Sequence, residues 1–117
     1  MLMNLVIYHN PRCSKSRAAL HLLEEKGLNP EVVNYLENPP TSDEFRRILG
    51  MLGMKASDLL RKKEAAEAGI TLSADESEDS LIATMLAHPA TIERPIVVCD
   101  GKAALGRPTE EILKILP

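Results

Sequence analysis

Tryptophan is absent from this 117-residue chain, phenylalanine occurs once and tyrosine twice, so aromatic residues make up only 3%. The core must therefore be aliphatic, and the scarcity argues against base-stacking nucleic-acid modules, which need exposed aromatic faces. No excess of positive charge is available either: the formal net charge is -3 and the pI about 5.6. No broad attraction to nucleic acid or anionic lipid follows, although single arginines can still build a local anion site. Long hydrophobic runs are missing, and the N-terminal MLMNLVIYHN lacks the length of a membrane span and the cleavage site of a signal peptide. Cysteine occurs twice, at Cys13 and Cys99. Their separation and the missing export signal disfavour a structural disulfide and point to the cytoplasm. With no C-x-x-C and no clustered His/Cys spacing, no metal site is expected. The length suits one domain, 1–117, expected to be a monomer.

What is present is an alternation of short elements. Leu5-Val6-Ile7-Tyr8 is a β-branched apolar run ended by Asn10-Pro11, a strand signature. Ser14 to Lys26 carries Ala18, Ala19, Leu22 and Leu23 at helical spacing, with Gly27 where a C-terminal cap belongs. Glu31 to Tyr35 reads as a second strand, and a right-handed βαβ unit with parallel pairing follows. Beyond Asn38-Pro39-Pro40, Thr41 and Glu44 form a capping box ahead of Phe45, Ile48, Leu49 and Leu52. A short helical piece over Ser57–Leu60, the charged run Arg61–Glu64, an acidic loop over Ser73–Ser80 and a helix with Leu81, Ile82, Met85 and Leu86 inward complete the middle, stopped by Pro89. Ile96 to Cys99 is a third strand, Asp100-Gly101 a hairpin turn and Lys102 to Leu105 a fourth strand. Pro108 at the first helical position opens a last helix with Ile112, Leu113, Ile115 and Leu116 inward. The predicted class is α/β with a thioredoxin-like fold: a four-stranded mixed sheet, with a helical insertion between the βαβ unit and the C-terminal β-hairpin plus helix.

Chemistry concentrates at Cys13. A cysteine between a strand-ending loop and a helix start faces the unpaired amides and partial positive charge of that helix, which favour the thiolate. In His9-Asn10-Pro11-Arg12-Cys13-Ser14-Lys15-Ser16-Arg17 the residue three positions on is Ser16, whose hydroxyl can reach back to the sulfur. Arg12, Lys15 and Arg17 add positive potential, and His9 is a candidate for a loop hydrogen bond or a further charge. The spacing is C-x-x-S, so no second thiol resolves a disulfide in the loop, and a mixed disulfide at Cys13 requires an external thiol. Cys99, on a strand, reads as a buried and inert thiol.

Across nearly the whole chain the pattern resembles the glutaredoxin-linked arsenate reductase family, with HNPRCSKSR and LLRKKE most similar to its widespread chromosomal branch. The resemblance is carried by His9-Asn10-Pro11 through Cys13, Ser16 and Arg17; Leu59-Leu60-Arg61-Lys62; His88-Pro89; Arg94-Pro95-Ile96-Val97-Val98; and Gly106-Arg107-Pro108. It implies that Cys13 attacks arsenate while Arg61, Arg94 and Arg107 surround the oxyanion, with His9 and Ser16 tuning the thiolate. Planar guanidinium groups suit this task, since they pair with tetrahedral oxyanions by charge-assisted hydrogen bonds and keep their charge. The resemblance further implies glutathione as co-substrate and glutaredoxin as partner, with no bound cofactor. Arg61 has the weakest local case, because its charge run also suits a solvated face. Two other functions share the scaffold. One is a glutathione-dependent thiol-disulfide oxidoreductase without arsenate activity, which has no need of Arg61 and Arg107. The other is an RNA-polymerase-binding transcription regulator, which carries a C-x-x-C switch and lacks an arginine matching Arg107.

Overall fold

Strand β1 (Leu5–His9) is an interior strand of a four-stranded sheet, and the computed structural model describes residues 4–73 and 75–117. The chain gathers into two compact units, Met1–Asn38 with Arg94–Pro117 and, between them in sequence, Pro39–Glu93.

The first unit holds the sheet, ordered β2-β1-β3-β4, with β2 at Glu31–Asn34, β3 at Ile96–Cys99 and β4 at Lys102–Leu105. β1 pairs parallel with β2 and antiparallel with β3, and β3 pairs antiparallel with β4, the mixed thioredoxin-like arrangement predicted from the element order. The parallel pair is bridged by α1 (Ser14–Glu25). One aliphatic cluster joins Leu5 and Ile7 of β1, Ala19 and Leu23 of α1, Val97 and Cys99 of β3, and Ile112. Alternation along β1 explains the selection: Leu5, Ile7 and His9 are buried while Val6 and Tyr8 are half-buried on the other face. The hairpin turns at Asp100 and Gly101, both with positive φ (49° and 84°), as a two-residue turn matched to strand twist requires. Asp100 also fastens that turn to the start of β1: its Oδ1 accepts the Asn4 N–H at 2.8 Å, and its own N–H donates to the Asn4 carbonyl at 3.0 Å.

At the C-terminus the structure corrects the predicted helix. Thr109–Ile115 is a 3-10 run and Pro108 precedes it as the N-cap, not as its first residue. Three residues per turn bring Ile112 and Ile115 to the same face and rotate Leu113 away. Ile112 is fully buried and Ile115 packs on the core, whereas Leu113 is 39% exposed.

The second unit is helical and coincides with the predicted insertion: α2 (Ser42–Leu52), α3 (Ala56–Leu59), α4 (Lys62–Glu67) and α5 (Glu78–Ala87), followed by a 3-10 turn at Pro89–Thr91. The capping box forms as the sequence indicates, the Thr41 hydroxyl accepting the Glu44 N–H and the Glu44 carboxylate accepting the Thr41 N–H, each at 3.2 Å. Phe45, Ile48 and Leu49 of α2 and Leu81, Ile82 and Met85 of α5 are buried, and α5 packs on both α2 and α3. The charged run at 61–64 opens α4, an element the periodicity does not announce because its six residues carry one buried apolar position, Ala65. An isolated antiparallel bridge, Leu60 to Ile92, ties the start of α4 to the end of the unit. Among the described residues, no helix is long and apolar enough to cross a membrane.

Candidate active site at the start of helix α1

Cys13 is the N-cap of α1, with extended backbone (φ -95°, ψ 124°), and its carbonyl accepts the first helical N–H, from Arg17, at 3.0 Å. A side chain in this position faces the amides of the first turn, where a serine or aspartate oxygen would ordinarily accept a hydrogen bond. Here the group is a sulfur, on a residue that is 9% exposed. The preceding loop is wound tightly around Asn10. Its carbonyl accepts the Cys13 N–H (3.0 Å), its Oδ1 accepts the Arg12 N–H (3.0 Å), and its N–H donates to the Ser16 hydroxyl (3.2 Å). Arg17 reaches back from α1 to donate to the Pro11 carbonyl at 2.9 Å. Both ends of the four-residue loop, Asn10 to Cys13, are thereby fastened to the first turn of the helix that presents the sulfur. Ser16 is fully buried, and its hydroxyl binds the loop backbone, so its hold on Cys13 is exercised through Asn10.

Arg107 arrives from the segment after β4. Its Nε donates to the Arg94 carbonyl at 2.8 Å, and one terminal nitrogen stands 3.9 Å from the Cys13 sulfur. A guanidinium at that distance is a fixed positive charge beside the nucleophile. Arg94 is half-buried and immediately precedes Pro95; the Arg94–Pro95 and Arg107–Pro108 peptides are both cis. Thus Cys13, Ser16, His9, Arg94 and Arg107, widely spread in sequence, all belong to the first unit.

His9 ends β1, is 7% exposed, and its Nδ1 is buried without a hydrogen-bond partner. Burial, and secondarily the Arg17 charge, hold its pKa below the ordinary 6.5. Burial away from solvent disfavours the imidazolium, which favours the loop-hydrogen-bond alternative for His9 over a charged one. The sign of the linkage follows directly. Between the lowered native value and 6.5 the unfolded chain binds a proton that the native chain refuses, so stability falls as pH drops through that window. His9→Gln is expected to flatten this part of the stability-versus-pH curve, measured by urea unfolding between pH 7 and pH 5; an unchanged slope would mean the proton uptake lies elsewhere.

Arg61 belongs to the helical unit. It is the N-cap of α4, its N–H donates to the Thr91 carbonyl at 2.7 Å, and its guanidinium pairs with Glu64 (2.9 Å) and Glu93 (3.6 Å). Far from being a solvated member of a charge run, it is 20% exposed. The other thiol, Cys99, pairs in register with Leu5, at the opposite end of β1 from Cys13. The two ends of β1, Leu5 and His9, stand about 13 Å apart, and the loop bearing Cys13 follows the end away from Cys99. Both cysteines are free, and burial pushes the Cys99 thiol up, with the Asp100 carboxylate adding to the effect.

Comparison with known proteins identifies the family. The model of the ArsC family matches residues 8–115. The chain is 47% identical to the arsenate reductase of Neisseria meningitidis serogroup B, over 94% of this chain and 96% of that protein. It is 48% identical to the uncharacterized protein YfgD of Escherichia coli, over 99% of each. Among solved structures it is similar to the arsenate reductase from Vibrio cholerae, with a TM-score of 0.92 and 47% identity, covering 99% of this chain and 100% of that one. With a family match that begins one residue before His9 and takes in Cys13, Arg61, Arg94 and Arg107, and with nearly half of all residues shared with full-length relatives, the chain belongs to the ArsC family.

Proposed function

We propose that this protein reduces arsenate to arsenite through Cys13, with glutathione and glutaredoxin supplying the electrons. The observation that carries the reading is the Arg107 guanidinium 3.9 Å from a sulfur at a helix N-cap. A dianionic substrate must approach an anionic sulfur, and this pairing offsets the repulsion on both. Helix amides and Arg107 supply donors for the oxyanion, with Arg94 and Arg61 assigned to the same task by family resemblance.

In the first step the Cys13 sulfur bonds to arsenic, and one arsenate oxygen departs with protons as water. Glutathione thiolate then attacks the Cys13 sulfur. The sulfur–arsenic bonding pair stays on arsenic, which falls from the +5 to the +3 state and leaves as arsenite, while Cys13 becomes a mixed disulfide with glutathione. A glutaredoxin thiolate takes over the glutathionyl group and releases Cys13. Two thiols thus provide the two electrons. The external route is supported by Ser16 in place of a second loop cysteine and by the remote, buried position of Cys99.

The test is a coupled assay of NADPH oxidation with glutathione, glutathione reductase and glutaredoxin, run with and without arsenate. Arsenate-dependent oxidation is expected, falling ~100-fold or more in Arg107→Ala, the usual scale for removing an oxyanion donor. Arsenate-independent exchange alone, indifferent to Arg107, would instead identify a thiol-disulfide oxidoreductase.

A further inference from the structure

The residue before Arg107 is Gly106, buried, with its N–H donating to the Pro95 carbonyl at 2.9 Å. The next N–H, that of Arg107, donates to the Leu105 carbonyl at 2.9 Å, closing a tight turn. Gly106 is not among the glycines with positive φ, so its backbone would accept an ordinary side chain. Space alone forbids one. A Cβ at this position would stand 2.8 Å from Pro95 Cγ, 3.4 Å from Pro95 Cδ and 3.5 Å from Ile112 Cγ2. Carbon atoms rest at about 3.5–4.0 Å, so the first contact is short by roughly 0.7 Å. The proline ring is bonded to its own backbone and fully buried, and it cannot swing aside as a flexible chain end would.

We propose that Gly106 is a positioning residue for the nucleophile's charge environment: its missing side chain lets the turn at 105–107 close on Pro95, and that closure carries the Arg107 guanidinium to the Cys13 sulfur. Two bonds register the turn on the segment ahead of β3, Gly106 N–H to the Pro95 carbonyl and Arg107 Nε to the Arg94 carbonyl. A methyl group wedged between them shifts both, and the guanidinium moves with the turn that bears it. The proposal rests on the reading of Arg107 as the charge that serves Cys13, and it is separable from the identity of the substrate.

The experiment compares alkylation of Cys13 by iodoacetate and by iodoacetamide. The two reagents share a reaction and a leaving group and differ in charge, so the ratio of their rates reports positive potential at the sulfur, while a change in thiolate fraction cancels. The ratio is expected to fall at least about five-fold in Arg107→Ala and by a similar factor in Gly106→Ala, the value one charge gives at this distance under full water screening. In the Gly106→Ala/Arg107→Ala double variant it is expected to match Arg107→Ala alone, because the glycine acts only through the arginine. A wild-type ratio in either single variant overturns the proposal, as does a double variant in which the two losses multiply. Should Gly106→Ala fail to fold, Pro95→Ala and Pro95→Ala/Gly106→Ala are compared. With the obstructing ring atoms removed, equal ratios are expected, and a further five-fold loss in the double variant overturns the proposal. Protection of wild-type Cys13 by arsenate is recorded alongside; its absence would count against arsenate as substrate, while the reagent ratio still decides the role of Gly106.

Discussion

Cys13→Ser is expected to lose arsenate turnover by at least about a thousandfold while retaining its fold. The substitution changes one atom at the N-cap of α1, and serine is a favoured residue there, so the helix start is preserved or improved. The chemistry fails twice over. A hydroxyl stays protonated at neutral pH and lacks the nucleophilicity of a thiolate, so the bond to arsenic does not form. An oxygen also cannot form the mixed disulfide with glutathione that accompanies the release of arsenite. The coupled assay measures the first failure, and intact mass after incubation with oxidised glutathione measures the second, where wild type gains one glutathionyl group and Cys13→Ser none. Turnover above about one per cent of wild type would assign the nucleophile to another residue.

Phe45→Ala is expected to cost about 3–5 kcal/mol, the largest stability effect of a single truncation in this chain. Phe45 is the chain's one phenylalanine and is 1% exposed. It sits on α2 with Ile48 and Leu49, and the other buried residues described in its unit are aliphatic or small. Against a total of about 5–15 kcal/mol for a domain, the loss removes a fifth or more of the stability. Urea unfolding should show the midpoint falling by at least about 1 M at unchanged slope. A shift corresponding to less than about 1 kcal/mol would mean that the helical unit collapses into the cavity with little penalty.

Both residues stand out in the bare sequence, and the reasons are local. Cys13 follows a strand-ending Asn-Pro turn and opens an amphipathic helix, so neighbouring residues alone imply its exposure to helix amides. The sheet and α2 were legible for the same reason: β-branched runs, the Asp100-Gly101 turn and the capping box at Thr41 are short-range signals. What stayed hidden depends on contacts between distant positions. Leu113 shares the composition of its neighbours, and only the tighter 3-10 winding turns it outward. The lowered pKa of His9 comes from burial at the end of β1, which a loop histidine does not advertise. Asn10 carries three bonds of the nucleophile loop, yet its sequence context speaks only of a turn. The signal for Gly106 was present as Gly-Arg-Pro and was legible merely as turn chemistry, because the proline it must clear lies eleven positions earlier.

The contrast between the two thiols has a practical side. Cys99 is 1% exposed with its ionisation suppressed, on the far end of the strand from the reactive sulfur. In the native protein a thiol reagent therefore meets one addressable sulfur per chain, and the stoichiometry of fast labelling counts functional molecules in any preparation. The same singularity makes the protein a clean bait: a redox partner caught as a stalled disulfide is joined through Cys13 alone, so its own attacking cysteine can be read from the crosslinked peptide without ambiguity on this side.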